Sequence, residues 1–126
     1  MGDSLTAGTG VLATNPLQVY IEDRGVAFPI GGELSWREAL TIPNILKEFN
    51  PKLRGYSDGS AFSYEAASRL NVAEPAARTT DMLHQAKLLV RRIRADKAIQ
   101  IEKHWKVRQQ TLCGFICPLL CSISPY

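Results

Sequence analysis

The chain has 126 residues, of which 45% are hydrophobic and 21% are charged, and its formal net charge is +3 at pH 7. This length suits a single domain, and the composition is typical of a folded soluble protein rather than of a disordered one. The mild positive charge comes without a stripe of interleaved basic and aromatic residues, so no nucleic-acid partner is expected.

Residues 2–8 form the first candidate functional element. They read Gly-Asp-Ser-Leu-Thr-Ala-Gly, and small residues around a serine permit the sharp backbone path of an activated nucleophile. Ser4 is therefore a candidate nucleophile, with a serine in a turn or helix cap as the structural alternative. Met1-Gly2 and Thr6 also fit the loose template for N-myristoylation, which we do not expect here. No secretory signal is expected, because no basic segment and apolar core follow Met1.

A first helix is predicted between residues 41 and 50. Thr41 is a suitable N-cap, Pro43 falls in the first turn, and apolar residues recur at helical spacing until Asn50-Pro51 stops the helix. Loops are predicted at 7–18 and 58–69. Short extended pieces are expected at residues 18–22, where a helical turn fits as well, and at 25–32, 53–57 and 70–73.

The strongest predicted element is a helix over residues 81–95. Thr80 is a suitable cap, and Asp81 suits the positive end of the helix dipole. The basic residues are interpreted as a solvated face, with a partner surface or an anionic-lipid contact as the alternative. The apolar stripe consists of Met82, Ala86, Leu89, Val90 and Ile93, and the basic side chains are Lys87, Arg91 and Arg94.

The last segment contains all three cysteines, Cys113, Cys117 and Cys121. Their spacing fits no common disulfide or metal-ligand pattern, so an apolar tail is expected, with palmitoylation as a minor alternative. Gly and Pro interrupt the apolar stretch 112–123 well short of the roughly 18 residues of a spanning helix. Neither a metal nor another cofactor is expected. Strand-like and helical pieces alternate along the chain, which favours an α/β layer arrangement.

Several short sequence blocks occur along the chain in an order that indicates a protein family. They are residues 2–8, 30–33, 41–51, 53–57, 70–73, 85–90 and 104–107. Together they resemble the lipase and esterase family named after its Gly-Asp-Ser-Leu motif, the SGNH hydrolases, and within it the membrane-associated phospholipase B branch. The resemblance implies an incomplete three-layer α/β/α sandwich with several core strands missing. It divides the chain into a partial hydrolase domain at 1–107 and a divergent, cysteine-containing tail at 108–126, which an altered splice or reading frame would explain.

The resemblance implies ester hydrolysis without a cofactor, of the phospholipase and lysophospholipase type, through an acyl-enzyme on Ser4. Phospholipids and other acyl esters, retinyl esters among them, are the implied substrates. Association with a membrane is implied as well, at the extracellular-facing, apical side of the plasma membrane.

The resemblance also assigns roles at the site. Ser4 matches the nucleophile and its backbone N–H one oxyanion donor, while a second donor falls on Ala76, where the family has glycine. If this position needs a positive φ, the methyl group costs roughly 1–2 kcal/mol. The family's third donor, an asparagine, and its closing Asp-x-x-His block have no counterpart in their places. Residues 81–84 fit that block literally but lie within the predicted helix, so neither His84 nor His104 is expected to reach Ser4.

Two functional interpretations follow from these residues. The first is a serine ester hydrolase by family, inactive as this chain alone, because a serine without its base is a weak nucleophile. The alternative is a non-catalytic truncated or splice product that acts, if at all, by association. The loss of core strands would also expose the apolar stripe of residues 82–93 and unpaired strand edges.

Overall fold

The computed structural model describes residues 1–99, and these contain three α-helices. Helix α1 spans Ser4–Ala7, α2 spans Ile42–Phe49 and α3 spans Met82–Ala95. The helices are connected by long loops that contain short 3₁₀ turns. The 3₁₀ turns are Pro16–Tyr20, Arg24–Val26, Ala66–Ser68 and Thr79–Asp81.

Helix α2 confirms the helix predicted between residues 41 and 50. The Thr41 hydroxyl accepts a hydrogen bond from the Asn44 N–H at 3.2 Å, which satisfies one of the free donors of the first turn. At the other end the Asn50 N–H donates to the Leu46 carbonyl at 2.9 Å. The apolar stripe of this helix is largely outside the core of the described residues, because Phe49 is 84% exposed.

Helix α3 confirms the helix predicted over 81–95, but Thr80 is not its cap. Thr80 lies inside the 3₁₀ turn that leads into the helix, and the Asp81 carboxylate accepts the Arg78 N–H at 2.7 Å. Of the predicted apolar stripe, Val90 is exposed and the other members are half-buried. The fully buried residue of α3 is Gln85, which is polar. The predicted basic side chains are exposed, namely Lys87, Arg91 and Arg94.

The expected three-layer α/β/α sandwich is wrong for residues 1–99, which contain no strand. Extended pairing is limited to two isolated bridges, one antiparallel between Thr9 and Glu22 and one parallel between Gly31 and Ser57. A ladder requires several consecutive residues of two segments to stay extended side by side. The 3₁₀ turn Arg24–Val26 overlaps the expected piece 25–32, and within the expected piece 53–57 the extended pairing is limited to the bridge at Ser57.

The centre of the described part is polar rather than hydrophobic. The largest fully buried side chains are those of Arg24, Gln85, Val72, Asn44 and Asn71, of which one is apolar. Buried polar groups must be hydrogen-bonded to avoid a large desolvation penalty. Side-chain-to-backbone hydrogen bonds made by these buried polar groups therefore help to hold residues 1–99 together. The buried apolar residues are Met1, Ala7, Ala27, Ala61, Val72 and Ala73.

Helices α1, α2 and α3 are all too short or too polar to cross a bilayer, and this holds for every helix within residues 1–99.

Candidate active site

Ser4 is the first residue of helix α1, and Asp3 immediately before it is the N-cap. The Asp3 carboxylate accepts the Leu5 N–H at 3.1 Å, which places a negative group at the positive end of the short helix. Ser4 itself is half-buried. The sequence therefore folds residues 2–8, here called the N-terminal turn, so that a serine lies on a sharp, capped bend.

Gly8 closes the N-terminal turn in the left-handed conformation, with φ of 71°. A Cβ atom at this position would lie 2.6 Å from the Asp23 carbonyl oxygen, so only glycine fits without displacing backbone. The Gly8 carbonyl also accepts the Asp23 N–H at 3.0 Å. Glycine is thus required at position 8 both by its positive φ and by its close contact with the Asp23 backbone.

Two buried side-chain amides form hydrogen bonds to the backbone of the N-terminal turn. The Gln85 amide accepts the Gly2 N–H and donates to the Gly2 carbonyl, each at 2.8 Å. The Asn71 amide donates to the Thr6 carbonyl at 2.9 Å. Both amide residues have 0% exposure. These contacts join residues far apart in the sequence and fix the backbone on either side of Ser4.

Arg24 supports the segment that carries Asn71. Its guanidinium donates to the carbonyls of Asn71 at 3.1 Å and Ala73 at 2.6 Å, and to that of Ala61 at 2.6 Å. It also forms an ion pair with Glu22, and both side chains are buried. Burial lowers the pKa of the Arg24 guanidinium below its usual value, while the Glu22 carboxylate opposes this shift.

The predicted second oxyanion donor, Ala76, lies in a loop tied to the N-terminal turn. The Glu74 N–H of this loop donates to the Gly2 carbonyl at 3.3 Å. Ala76 is exposed and has φ of +60°, a left-handed conformation that favours glycine. Ala76 therefore has a positive φ at the position where the resemblance places a glycine. Within residues 1–99, neither the Ser4 N–H nor the Ala76 N–H has a hydrogen-bond partner.

No hydrogen bond joins the residues that fit the Asp-x-x-His pattern to Ser4. His84 is exposed on α3, and the Asp81 carboxylate bonds to the Arg78 backbone instead of orienting His84. In the described part of the chain the Ser4 hydroxyl has no hydrogen-bond partner. His104 and the three cysteines lie outside the described residues, as does the predicted tail.

Three site residues were missed by sequence reasoning: Gln85, Asn71 and Arg24. Gln85 carried a usable signal, because it lies three residues after Met82 and four before Leu89 on the predicted buried stripe. A polar amide on such a stripe is costly unless it has a partner. Across residues 1–99 there is no cluster of three His, Cys, Asp or Glu side chains that could hold a metal ion.

The N-terminal turn and its supports belong to a chain with clear relatives. It is 39% identical to mouse (Mus musculus) "Phospholipase B1, membrane-associated" over 109 residues, covering 85% of this chain and 7% of the relative. The rat (Rattus norvegicus) protein of the same name is 39% identical over 132 residues, with 99% and 9% covered. The human (Homo sapiens) one is 36% identical over 110 residues, with 85% and 8% covered.

These matches relate the chain to a phospholipase B family of proteins. The chain spans less than a tenth of the length of the relatives that it matches. No family model and no solved structure matches it.

Proposed function

We propose that the chain carries the nucleophile segment of a serine ester hydrolase of the phospholipase B and lysophospholipase type, in the SGNH family. The observation that carries this proposal is the N-terminal turn, in which Ser4 lies on a capped bend, its hydroxyl has no hydrogen-bond partner within residues 1–99, and its flanking backbone is held by buried amides. The similarity to phospholipase B1 supports the lipid ester class of substrate. Membrane association and a plasma-membrane location are part of the same proposal and rest on the resemblance alone.

The proposed chemistry is acyl transfer in two steps. The Ser4 Oγ attacks the acyl carbonyl carbon of a phospholipid or lysophospholipid, the ester C–O bond breaks, and the alcohol leaves with the serine proton. Water then hydrolyses the acyl-serine, which releases the fatty acid and restores the hydroxyl. The N–H groups of Ser4 and Ala76, which have no hydrogen-bond partner in the described part of the chain, are the proposed donors to the developing oxyanion. Each such donor is typically worth about 3–4 kcal/mol. No cofactor takes part.

We further propose that the chain on its own turns over ester poorly. Within residues 1–99 no side chain accepts a proton from Ser4, and a neutral serine hydroxyl is a weak nucleophile at pH 7. The alternative function, a non-catalytic product that acts by association, is favoured by one observation. Large apolar side chains in the described part are highly exposed, among them Leu17 at 89%, Phe49 at 84% and Tyr20 at 82%.

The proposal is tested by supplying from solution a proton acceptor of the kind that residues 1–99 do not place at Ser4. Hydrolysis of p-nitrophenyl acetate is measured for the unmodified chain, for Ser4→Ala and for the control Ser35→Ala, with and without added imidazole. We expect near-background turnover without imidazole. With imidazole, we expect excess hydrolysis in the unmodified chain and Ser35→Ala that is lost in Ser4→Ala, because a diffusible base can take the serine proton.

Each outcome of this assay decides one part of the proposal. Substantial Ser4-dependent turnover without imidazole would contradict poor activity of the isolated chain while supporting the nucleophile. Equal rates for the unmodified chain and Ser4→Ala under every condition would contradict the role of Ser4 and leave association as the function.

A further inference from the structure

Gly2 and Thr6, which lie two positions before and after Ser4, both form backbone hydrogen bonds to buried side-chain amides. Gly2 is held on its N–H and its carbonyl by Gln85, and Thr6 is held on its carbonyl by Asn71. Gln85 comes from helix α3, and Asn71 from the loop that precedes Pro75. The position of Ser4 is therefore set by distant parts of the chain rather than by the four-residue helix α1.

The Gln85 contact has a chemical form that few side chains can reproduce. A carboxamide contains one acceptor and two donors, so it pairs with a backbone N–H and C=O in the way a neighbouring strand would. Gly2 is buried, and a buried backbone group without a partner costs free energy comparable to a lost hydrogen bond. Residues 1–99 contain no strand that could pair with the Gly2 backbone. The Gln85 amide provides the equivalent donor and acceptor for Gly2.

The same carbonyl of Gly2 connects the N-terminal turn to the loop that carries Ala76. It accepts from the Gln85 amide at 2.8 Å and from the Glu74 N–H at 3.3 Å. The Gln85 amide therefore sits at the junction of the serine turn and the loop with the second proposed oxyanion donor. Arg24 reinforces that loop by donating to the Asn71 and Ala73 carbonyls.

We propose that Gln85 is a positioning residue, which sets the Ser4 backbone relative to the loop of Ala76 through its paired hydrogen bonds to Gly2. This inference rests on the proposed function, since positioning matters only if Ser4 reacts. Nothing in the helix requires the amide, because α3 would bury an apolar side chain at this place more cheaply. Because Gln85 is fully buried, the role that we propose for it is positioning of the Ser4 backbone rather than contact with a substrate.

The test compares Gln85→Met with a matched control, Asn44→Leu. Both substitutions replace a fully buried amide that makes two side-chain hydrogen bonds by an apolar group of similar size. The Asn44 amide donates to the Glu33 and Ala39 carbonyls, each at 2.8 Å, and has no bond to the N-terminal turn. Asn44→Leu therefore reports the cost of losing two buried amide hydrogen bonds away from the N-terminal turn, and it also removes the buried Asn44 Oδ1, which has no partner within residues 1–99.

Two readouts are measured on the full chain and corrected for the folded fraction from urea unfolding. The first is labelling of Ser4 by a fluorophosphonate in the presence of imidazole, with the maximal rate separated from the half-saturating probe concentration. The second is amide hydrogen exchange at Leu5 and Ala7, which are bonded within the turn. Misplacing a reacting group by about 1 Å can cost roughly 100-fold in rate.

We expect Gln85→Met to lower the maximal labelling rate about 10- to 100-fold relative to Asn44→Leu, with the half-saturating concentration unchanged. Exchange at Leu5 and Ala7 is expected to be at least about tenfold faster in the same comparison. Equal labelling and equal exchange in the two variants would overturn the inference. Gln85→Asn, which keeps an amide too short to span both Gly2 atoms, is expected to behave like Gln85→Met.

The two proposals fail separately in this experiment. If Ser4 of the unmodified chain does not label, the proposed function is wrong, and the exchange rates alone decide whether Gln85 holds the turn. If both Gln85 variants unfold while Asn44→Leu remains folded, the role of Gln85 is global and the inference of local positioning is wrong.

Discussion

Ala76 holds a backbone conformation that disfavours an alanine side chain. Its φ of +60° places the Cβ close to the following carbonyl oxygen, at a cost of roughly 1–2 kcal/mol. Ala76→Gly removes that cost and loses part of the gain to the greater freedom of the unfolded chain. We expect the variant to be more stable by about 1 kcal/mol, as measured by the midpoint of urea unfolding.

The neighbouring alanine provides the control for this prediction. Ala77 is outside the left-handed region, so Ala77→Gly should destabilise the chain by roughly 0.5–1 kcal/mol. Opposite signs for the two substitutions identify the conformation as the cause. A loss of stability in Ala76→Gly equal to that in Ala77→Gly would contradict a strained alanine.

At the level of single residues, the local turn around Ser4 could be predicted from the sequence, but the side chains that hold this turn could not. The turn chemistry around Ser4 is local, and the structure places it on a capped bend. The bond between Gln85 and Gly2 joins residues 83 positions apart, and Arg24 reaches Asn71 across 47 positions. Such contacts depend on the global path of the chain, and no periodicity within one element encodes them.

Thr41 stabilises helix α2 through two hydrogen bonds made by one buried hydroxyl. It accepts the Asn44 N–H as the N-cap and donates to the Gly31 carbonyl at 2.6 Å. Thr41→Ala loses the cap and leaves the carbonyl unpaired, so we expect a loss of about 2 kcal/mol in the free energy of unfolding. Far-UV circular dichroism during urea unfolding measures it.

Thr80→Ala is the matched control for the loss of a cap. Thr80 fits a helix cap by sequence, but it is exposed and makes no side-chain hydrogen bond among the described residues. The substitution should change the free energy of unfolding by less than about 0.5 kcal/mol. A cost for Thr80→Ala as large as that for Thr41→Ala would show that Thr80 caps α3 after all.

Hydrogen bonds in the turn that begins at Ser35 make the stability of the protein slightly dependent on pH in the acidic range. The Glu38 carboxylate accepts the Ser35 hydroxyl at 2.8 Å and the Ser35 N–H at 3.2 Å, and these bonds lower the pKa of Glu38 below its usual value. A lowered pKa in the folded state means that the contribution is present above the usual pKa and is lost as the pH falls through the lowered value.

Glu38→Gln should therefore reduce the loss of stability between neutral and acidic pH. The urea midpoint is measured across this range for the unmodified chain, for Glu38→Gln and for Glu48→Gln. Glu48 is exposed and its carboxylate makes no hydrogen bond within the described residues, so Glu48→Gln is the control for the loss of an exposed carboxylate. Identical slopes for all three proteins would contradict a role of the Ser35 contacts.

Helices α2 and α3 could be predicted from the sequence, whereas the extended pieces could not. A helix depends on caps and periodicity within a dozen residues, which the sequence displays directly. A strand depends on a partner elsewhere in the chain. Residues 18–22, for which a helical turn is the alternative to a strand, overlap the 3₁₀ turn Pro16–Tyr20, which Asn15 begins by accepting the Leu17 N–H at 3.0 Å. The Asn15 cap favours a helical turn here over the strand that the alternation of apolar and polar residues indicates.

Across residues 1–99 as a whole, the buried guanidinium of Arg24 connects segments that are distant in the sequence. Arg24 is 0% exposed and bonds to the carbonyls of Ala61, Asn71 and Ala73 as well as to Glu22. The apolar core around it is small, because four of its six members are alanines. Cooperative unfolding of the described part should therefore depend strongly on the Arg24 guanidinium.

Arg24→Met removes the cation and leaves the Glu22 carboxylate and three carbonyls buried without their partner. Breaking a buried ion pair from one side typically costs about 3–5 kcal/mol, against a total stability of about 5–15 kcal/mol for ordinary domains. We expect the variant to lose its cooperative urea transition. The exposed Arg37, whose guanidinium lies 4.6 Å from the Trp36 ring centroid, is the control, and Arg37→Met should cost less than about 1 kcal/mol.

The double variant Glu22→Gln/Arg24→Met separates charge from hydrogen bonding. Replacing Glu22 removes the uncompensated buried charge but restores none of the three carbonyl contacts. We therefore expect part of the lost stability to return relative to Arg24→Met, with the remainder reporting the unpaired carbonyls. If the double variant is no more stable than Arg24→Met, the ion pair contributes nothing and Arg24 acts as a hydrogen-bond donor to the Asn71 and Ala73 backbone. If it unfolds as cooperatively and at the same urea concentration as the unmodified chain, the polar centre is not what holds these segments together.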